Sequence, residues 1–467
     1  MAFSSKYWWH APRVLLYSAL IATAPFATSK SVHADTLKVV VQEALETNPE
    51  LGSLRFNRQA IDQELRAARG LNLPTVDVRG GSGRSRNENV TGSGINTTNN
   101  WHKHDNGGVA LSQRIFDGFE TRSEIERQKN RVDSARWRVA DTSNSIALKA
   151  IQSYLELQRA IAVRSAAVSN LSALKGLMAR VKARVSAGRG TAGEESEAGA
   201  RLENAKALLV EAQNSVADAD ALFRSIVGRP PLGSLSAVAL PRRPSSIDIA
   251  VREAISFAPS ILATQHDVRA ADAAIDSARS RFFPRLNLEL SAENSRGVTE
   301  KNDRETDAAA MLVVRWNLFN GGIDRARVTE ASARAAEARE ISANTERLIE
   351  REVRVSWNAM TAAGLRVTFL SRQLELNRAT RLTYNQQFDA SQRRLLDLLD
   401  IQNQVFVSEA SLRTEQLVGY FNTFRVLAST GKLVEAMGLS LPEEAIARRS
   451  SDIFDDWHTE VHSVSGK

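Results

Sequence analysis

A short corner that occurs twice constrains this chain more than any other feature of its 467 residues. Before Asn320-Gly321-Gly322, apolar and polar residues alternate through 312–318, as in a strand with one apolar face. Beyond it, a helical pattern rich in alanine, arginine and glutamate continues without proline as far as Pro442. Phe116-Asp117-Gly118 joins the same two patterns earlier in the chain. The sequence therefore predicts an internally duplicated protein, with Gly118, Gly321 and Gly322 supplying backbone freedom at its strand-helix corners.

The predicted elements fall into two repeats with the same order. Residues 35–240 form the first repeat, with a helix, a β-hairpin at 74–117 and long helices at 119–187 and 191–228. Residues 241–440 form the second, with a helix, a hairpin at 284–319 and long helices at 322–390 and 393–437. Their landmarks correspond, since Asn48-Pro49 matches Ala258-Pro259 and Leu73-Pro74 matches Phe283-Pro284. A charged tail, 441–467, completes the chain.

Apolar residues recur every seven positions in the long helices, which is typical of a narrow coiled-coil seam. The seams run through Ile125, Val132, Val139 and Ile146, and through Leu202, Leu209, Val216 and Phe223. We therefore expect paired helices rather than a thick globular core.

Residues 1–34 are predicted to be a secretory signal peptide. Lys6, His10 and Arg13 precede an apolar stretch, and Val32-His33-Ala34 suits a signal peptidase. Pro25 interrupts the apolar run before it could span a bilayer. The chain has no cysteine, which excludes disulfides, thiol nucleophiles, thiolate metal sites and a lipidated N-terminal cysteine.

The basic composition does not indicate a nucleic-acid partner. The formal net charge is +7, but arginines are interspersed with glutamates instead of clustering. The G-x-G-x-x-G match at 188–193 follows a long helix, whereas a dinucleotide site follows a strand. Histidine pairs at 102/104 and 458/462 lack a third ligand. We expect no nucleic acid, no cofactor, no metal and no enzymatic activity.

The four predicted strands cannot close a barrel within one chain. Open sheet edges are not tolerated in hydrocarbon, so membrane insertion requires several chains to share one barrel. The polar residues of the strands would then line a wet lumen: Asp77, Arg79, Arg114, Asn287, Glu289 and Arg315. A soluble hairpin with one face on the helices is the alternative interpretation of the strands alone.

The X-Pro steps, strand entries and glycine corners occur in the same order in both repeats. In this order they resemble the TolC family of outer-membrane channel-tunnels, and the resemblance covers nearly the whole mature chain. The resemblance implies an α+β membrane protein that forms a homotrimer. Four strands per chain would build a shared 12-stranded β-barrel in outer-membrane lipid, above a long α-helical barrel in the periplasm. It also implies a periplasmic adaptor and an inner-membrane ABC or proton-driven transporter as partners.

The same resemblance implies a gate at the second helix–helix turn. Asp397 and Asp400 lie three apart, so both project from one helix face and would form two carboxylate rings in a trimer. An isolated sequence allows a simpler interpretation, in which both aspartates are solvated and compensate the helix dipole. By resemblance, Arg393 and Glu194 form the latch. Phe388 stands where the best-known family member has a tyrosine, so a hydroxyl hydrogen bond in the latch is not available here.

The predicted function is an outer-membrane exit duct that passively conducts proteins, small toxic compounds or both. The alternative is a periplasmic coiled-coil adaptor or scaffold without a barrel. A secreted enzyme is the third hypothesis, and the sequence offers no site for one. Trp316, near a strand end, is predicted to be an interfacial anchor, with ordinary packing as the alternative.

Overall fold

The structure is a computed structural model that describes residues 35–86, 89–91, 94–96, 101–297 and 304–446. The predicted signal peptide and residues 447–467 of the predicted tail lie outside these ranges. In the first repeat, α1 (Leu37–Thr47), α2 (Pro49–Gly70), α3 (Glu120–Ser186) and α4 (Ala192–Val227) follow in order. In the second, α5 (Ile247–Phe257), α6 (Pro259–Arg279), α7 (Ile323–Asp389), α8 (Leu395–Ser429) and the short α9 (Leu433–Ala436) follow.

The two short helices of each repeat meet at an X-Pro step. Asn48 ends α1 and accepts a hydrogen bond from the amide of Glu50 at 3.0 Å, while Pro49 begins α2. Proline is tolerated there because the first-turn amides have no intrahelical acceptor. Pro259 begins α6 in the same way after Ala258.

The strands form one antiparallel sheet across both repeats. β1 (Thr75–Ser85), β4 (His102–Phe116), β5 (Arg285–Arg296) and β6 (Arg304–Arg315) lie in the order β1-β4-β5-β6. The short strands β2 (Asn89–Thr91) and β3 (Gly94–Asn96) pair with each other between β1 and β4. Within the described residues, β1 and β6 each pair on one side only, so both sheet edges are open.

The helices α3 and α7 are the longest elements, with 67 residues each, or about 100 Å at 1.5 Å per residue. In α4 the fully buried seam consists of alanines every seven residues: Ala198, Ala205, Ala212 and Ala219. The predicted seam one turn away is only partly covered, apart from buried Phe223. Small side chains at this contact allow the long helices to pack closely.

The main core joins α1, α3 and α4 to the region of α9, and a buried tyrosine fixes the irregular connector to it. The Tyr154 hydroxyl lies 2.9 and 2.8 Å from the carbonyl oxygens of Asp35 and Ser236, which share its single proton as acceptors. Burial raises the pKa of Tyr154 to about 12, so this group stays a donor. No helix in the described ranges combines the length and mean hydropathy needed to cross a membrane.

Candidate functional site

The two long helical hairpins end in turns of the same geometry. After α3, Gly188 adopts a left-handed φ of 71°, and the Arg189 amide donates to the Arg184 carbonyl at 2.8 Å. After α7, Ser391 adopts a φ of 61°, and the Gln392 amide donates to the Gln387 carbonyl at 2.8 Å. The offset is 391 − 188 = 203, the same as between the corner residues Phe116 and Phe319. The turns are therefore equivalent positions of the two repeats.

The helices that follow these turns begin differently. Thr191 and Glu194 form a capping box, in which each side chain accepts a hydrogen bond from the other residue's amide. This arrangement satisfies two amides that would otherwise lack acceptors. At the equivalent positions in α8, the N-cap residue is Arg394, without a side-chain cap, and the third helical residue is Asp397. The first turn is capped locally, whereas the second is not.

Both predicted constriction aspartates lie near the start of α8, and each has an arginine partner in this chain. Asp397 forms ion pairs with Arg393 at 3.5 Å and Arg394 at 3.3 Å. Asp400 pairs with Arg201 of α4 at 3.3 Å, where both side chains are about half exposed. The arginines partly neutralise the carboxylates within a single chain, a feature that the spacing of the aspartates does not indicate.

The predicted latch residues lie in other contacts. Besides Asp397, Arg393 donates to Gln387 Oε1 at 3.0 Å, and its guanidinium lies 4.1 Å from the centre of the Tyr384 ring. Glu194 belongs to the capping box of α4. An Arg393–Glu194 pair is not among the ion pairs that the described part of this single chain forms, so the latch stays a prediction for the assembled protein.

Phe388 is buried, with 3% exposure, in a cluster that also includes Leu395 and Leu398. The Arg184 guanidinium lies 4.5 Å from the centre of its ring and donates to its carbonyl oxygen at 2.8 Å. Phe388 thus contributes packing and a cation–π contact at this position.

Several contacts between the repeats near the turns were not predicted from the sequence. Arg180 of α3 pairs with Asp389 at 3.0 Å and donates to Asn385 at 2.7 Å. The buried amide of Gln402 donates to Asn170 at 2.9 Å. The one available sequence signal was charge, because arginines precede the first turn and an aspartate precedes the second. Together these bonds tie α3 to α7 and α8.

The sheet register separates polar from apolar residues. The six predicted lumen residues all lie on one face of the sheet. This follows from the register, in which the facing pairs are Asp77↔Ala110, Arg114↔Asn287 and Arg285↔Arg315. The partners Val76↔Leu111 and Leu288↔Leu312 form the opposite face, which is largely uncovered in this chain. An uncovered apolar face suits contact with lipid, and a polar face suits a water-filled lumen.

The corner glycines adopt left-handed conformations, with φ of 71° at Gly118, 53° at Gly321 and 80° at Gly322. Gly118 also lies against the chain: a Cβ there would be 2.5 Å from the Ser280 carbonyl oxygen and 2.8 Å from Phe283 Cβ. At Gly321 and Gly322, a Cβ would meet no atom within 4 Å.

A two-faced sheet at the end of helices about 100 Å long defines a class of membrane-inserted conduits with a long helical stem. The sequence profile of the family described as outer membrane efflux protein matches residues 40–229 and 250–416, one segment in each repeat. The chain therefore belongs to the outer membrane efflux protein family.

Individual relatives agree with this assignment. The outer membrane efflux protein BepC of Brucella suis is 22% identical over 455 residues, which cover 96% of each chain. The outer membrane protein VceC of Vibrio cholerae has the same fold, with a TM-score of 0.73 and 16% identity over 87% of this chain and 97% of its own. The open state of the Neisseria gonorrhoeae outer membrane channel MtrE gives a TM-score of 0.73 at 19% identity, covering 85% and 88%.

The predicted localisation and general function are thus confirmed. The protein is an outer-membrane exit duct of a tripartite export system, with its helical part in the periplasm. The alternative, a periplasmic adaptor or scaffold without a barrel, is not supported. Family members are channels, and they act as trimeric outer-membrane factors with adaptor proteins and inner-membrane transporters.

Proposed function

We propose that three copies of this chain form one passive duct, without enzymatic activity, that is gated at the α7–α8 turn. The observation that carries the proposal is the sheet, which in the described part of the chain has one polar face and two open edges. Pairing β6 of one copy with β1 of the next would remove every edge, and three copies would supply twelve strands. Closure of this kind is what hydrocarbon requires of a membrane-spanning sheet.

The gate would consist of Asp397 and Asp400, each forming a ring of three carboxylates. Crowded carboxylates favour cations in a constriction. The partners Arg393, Arg394 and Arg201 would reduce this charge at rest. Only the Arg201–Asp400 pair joins two helices, α4 and α8, so this is the pair that would break when the helices move apart. An open state is described for the channel MtrE, which has this fold.

The latch would join neighbouring copies as well as elements of one chain. Glu194 is partly engaged by its capping box, but a carboxylate can accept further hydrogen bonds. We propose that Arg393 of one copy reaches Glu194 of the next in the closed state. The bonds from Arg184 to Phe388 and from Arg201 to Asp400 would hold the same tip within each chain.

The test of this gate is single-channel conductance of Arg393→Ser in planar bilayers. We expect a higher conductance than in the wild type, because the substitution removes the latch and one partner of Asp397. Arg372→Ser is a matched control, since Arg372 is exposed and pairs with Glu375 of its own helix at 2.7 Å. No increase for Arg393→Ser, or an equal increase for both variants, would count against the gate.

The specific partners would be one periplasmic adaptor and one inner-membrane transporter, of the ABC or the proton-driven class. Outer-membrane lipid would contact the apolar sheet face, and no nucleic acid, cofactor or metal takes part. A deletion strain assayed for secreted proteins and for drug susceptibility together would identify the cargo. We expect a defect in at least one assay, which the wild-type gene should restore; no defect in either would count against both transporter classes as partners.

A further inference from the structure

A cavity of about 290 Å³ lies on the polar face of the sheet, at the end where the strands meet the helices. All four long strands contribute to its wall, and α2 ends beside it. Its polar lining consists of Thr75, Ser112, Arg114, Arg285, Asn287 and Arg315. Three arginines of one chain therefore line a single cavity.

Each of these arginines has a carboxylate partner that is less exposed than the arginine. The side chains of Arg315 and Glu289, 3.3 Å apart, are 68% and 32% exposed. For Arg285 and Glu120, 2.6 Å apart, the values are 46% and 30%. In the third pair, Arg114 is again more exposed than its partner Asp117, which is almost fully buried. The arginine is therefore the more solvent-accessible member of each pair, and none of the three carboxylates is among the residues that line the cavity.

The guanidinium groups also keep donors that the described contacts do not use. An arginine carries five N–H donors in a planar fork. Among the described residues, Arg315 donates one bond, to Glu289, and Arg285 donates one, to Glu120. Asn287 adds a side-chain amide to the same wall. Unused arginine forks suit the bidentate recognition of carboxylate, sulfate or phosphate groups.

We propose that this cavity is a binding site for multiply charged oxyanions in the wall of the duct. The proposal rests on the proposed trimer, in which three cavities would place 3 × 3 = 9 guanidinium groups in a collar at the base of the barrel. Arginine rings of this kind favour anions in pores. The duct would thus carry a ring of aspartates at its periplasmic tip and a collar of ion-paired arginines with unused donors at its membrane end, about one α7 length away.

The probe for this site is citrate, a tricarboxylate, applied to single channels in planar bilayers from the barrel side, away from the turns of the long helices. We expect citrate to reduce the wild-type current in a concentration-dependent manner, and more weakly as the salt concentration rises. Arg315→Gln should weaken this block by about tenfold or more, because it removes a charge-assisted contact from each of three chains. Arg315→Lys, which keeps the charge but loses the fork, should give an intermediate value.

Arg304→Gln is the matched control, because Arg304 lies on the same strand as Arg315 but on the opposite face of the sheet. It should leave the block unchanged. If both glutamine variants weaken the block equally, or neither does, the collar is refuted and the three ion pairs serve the structure alone. Absence of any wild-type channel would instead refute the proposed duct, so the two failures are distinguishable. If Arg315→Gln does not assemble, the Arg315→Lys value decides the test.

Discussion

We expect the first corner to be more sensitive to substitution than the second, and Gly118→Ala tests the reason. Alanine at a left-handed φ costs about 1–2 kcal/mol, because its Cβ approaches the following carbonyl oxygen. At Gly118 the Cβ would also be 2.5 Å from the Ser280 carbonyl oxygen and 2.8 Å from Phe283 Cβ. Relieving such overlap shifts backbone and side chains at a cost of about 1–3 kcal/mol.

Gly322→Ala is the matched control, because Gly322 has a φ of 80° and open space where the Cβ would lie. The two variants share the conformational cost, so their difference isolates the close approach to Ser280 and Phe283. We expect Gly118→Ala to destabilise the chain by about 2–5 kcal/mol and Gly322→Ala by about 1–2 kcal/mol.

The assay is denaturant unfolding of the detergent-solubilised protein, followed by the circular dichroism of its helices. The midpoint for Gly118→Ala should fall well below that for Gly322→Ala, and less of the variant should reach the outer membrane. Equal midpoints would refute the reasoning, because they would mean that the left-handed conformation alone makes glycine necessary at both corners.

Two further substitutions test local contacts by the same unfolding assay. Thr191→Ala should lower the free energy of unfolding by about 0.5–2 kcal/mol, because it removes the capping box of α4. An unchanged free energy of unfolding would show that the capping box does not stabilise this helix. Asp117→Asn should cost about 1.5–3 kcal/mol at pH 7, because it removes a carboxylate that accepts bonds from Thr121 and Arg114. Burial raises the pKa of Asp117, but these bonds outweigh it and hold the pKa below its usual 3.8, so this stabilisation is present above pH 3.8. It is lost as the pH falls through the lowered value, and a gap between wild type and variant that persists in strong acid would contradict this assignment.

Much of the architecture could be predicted because the hydrophobic period changes at identifiable residues. Alternation up to Leu318 indicated a strand, which in the structure ends three residues earlier, at Arg315. The proline-free pattern after Gly322 indicated a long helix, which the structure has as α7. The duplication was visible because Asn48-Pro49 and Ala258-Pro259 repeat in order. The close alanine seam of α4 was missed, since alanine is common throughout these helices and carries little periodic signal of its own.

The site was less predictable, because spacing places residues on a face without naming their partners. The three-residue spacing of Asp397 and Asp400 could not show that Arg201, on a helix about 200 positions earlier, pairs with one of them. Nor could it show that Arg393 lies over Tyr384. Such contacts depend on how α3 and α4 pack on α7 and α8, which a single sequence does not specify.

The duplication itself offers a physical reason why the gate is proposed at the second turn. Both turns require a left-handed residue, and the first uses Gly188 whereas the second uses Ser391. Serine in this conformation costs about 1–2 kcal/mol, and a missing N-cap bond costs about 1 kcal/mol. The second turn therefore has less local backbone stability than the first, and the Arg201–Asp400 ion pair is one of the contacts that hold it against the neighbouring helix α4. Ion pairs at exposed positions contribute little each and separate readily. The two equivalent turns therefore differ in local stability, and a movable gate requires the less stable one.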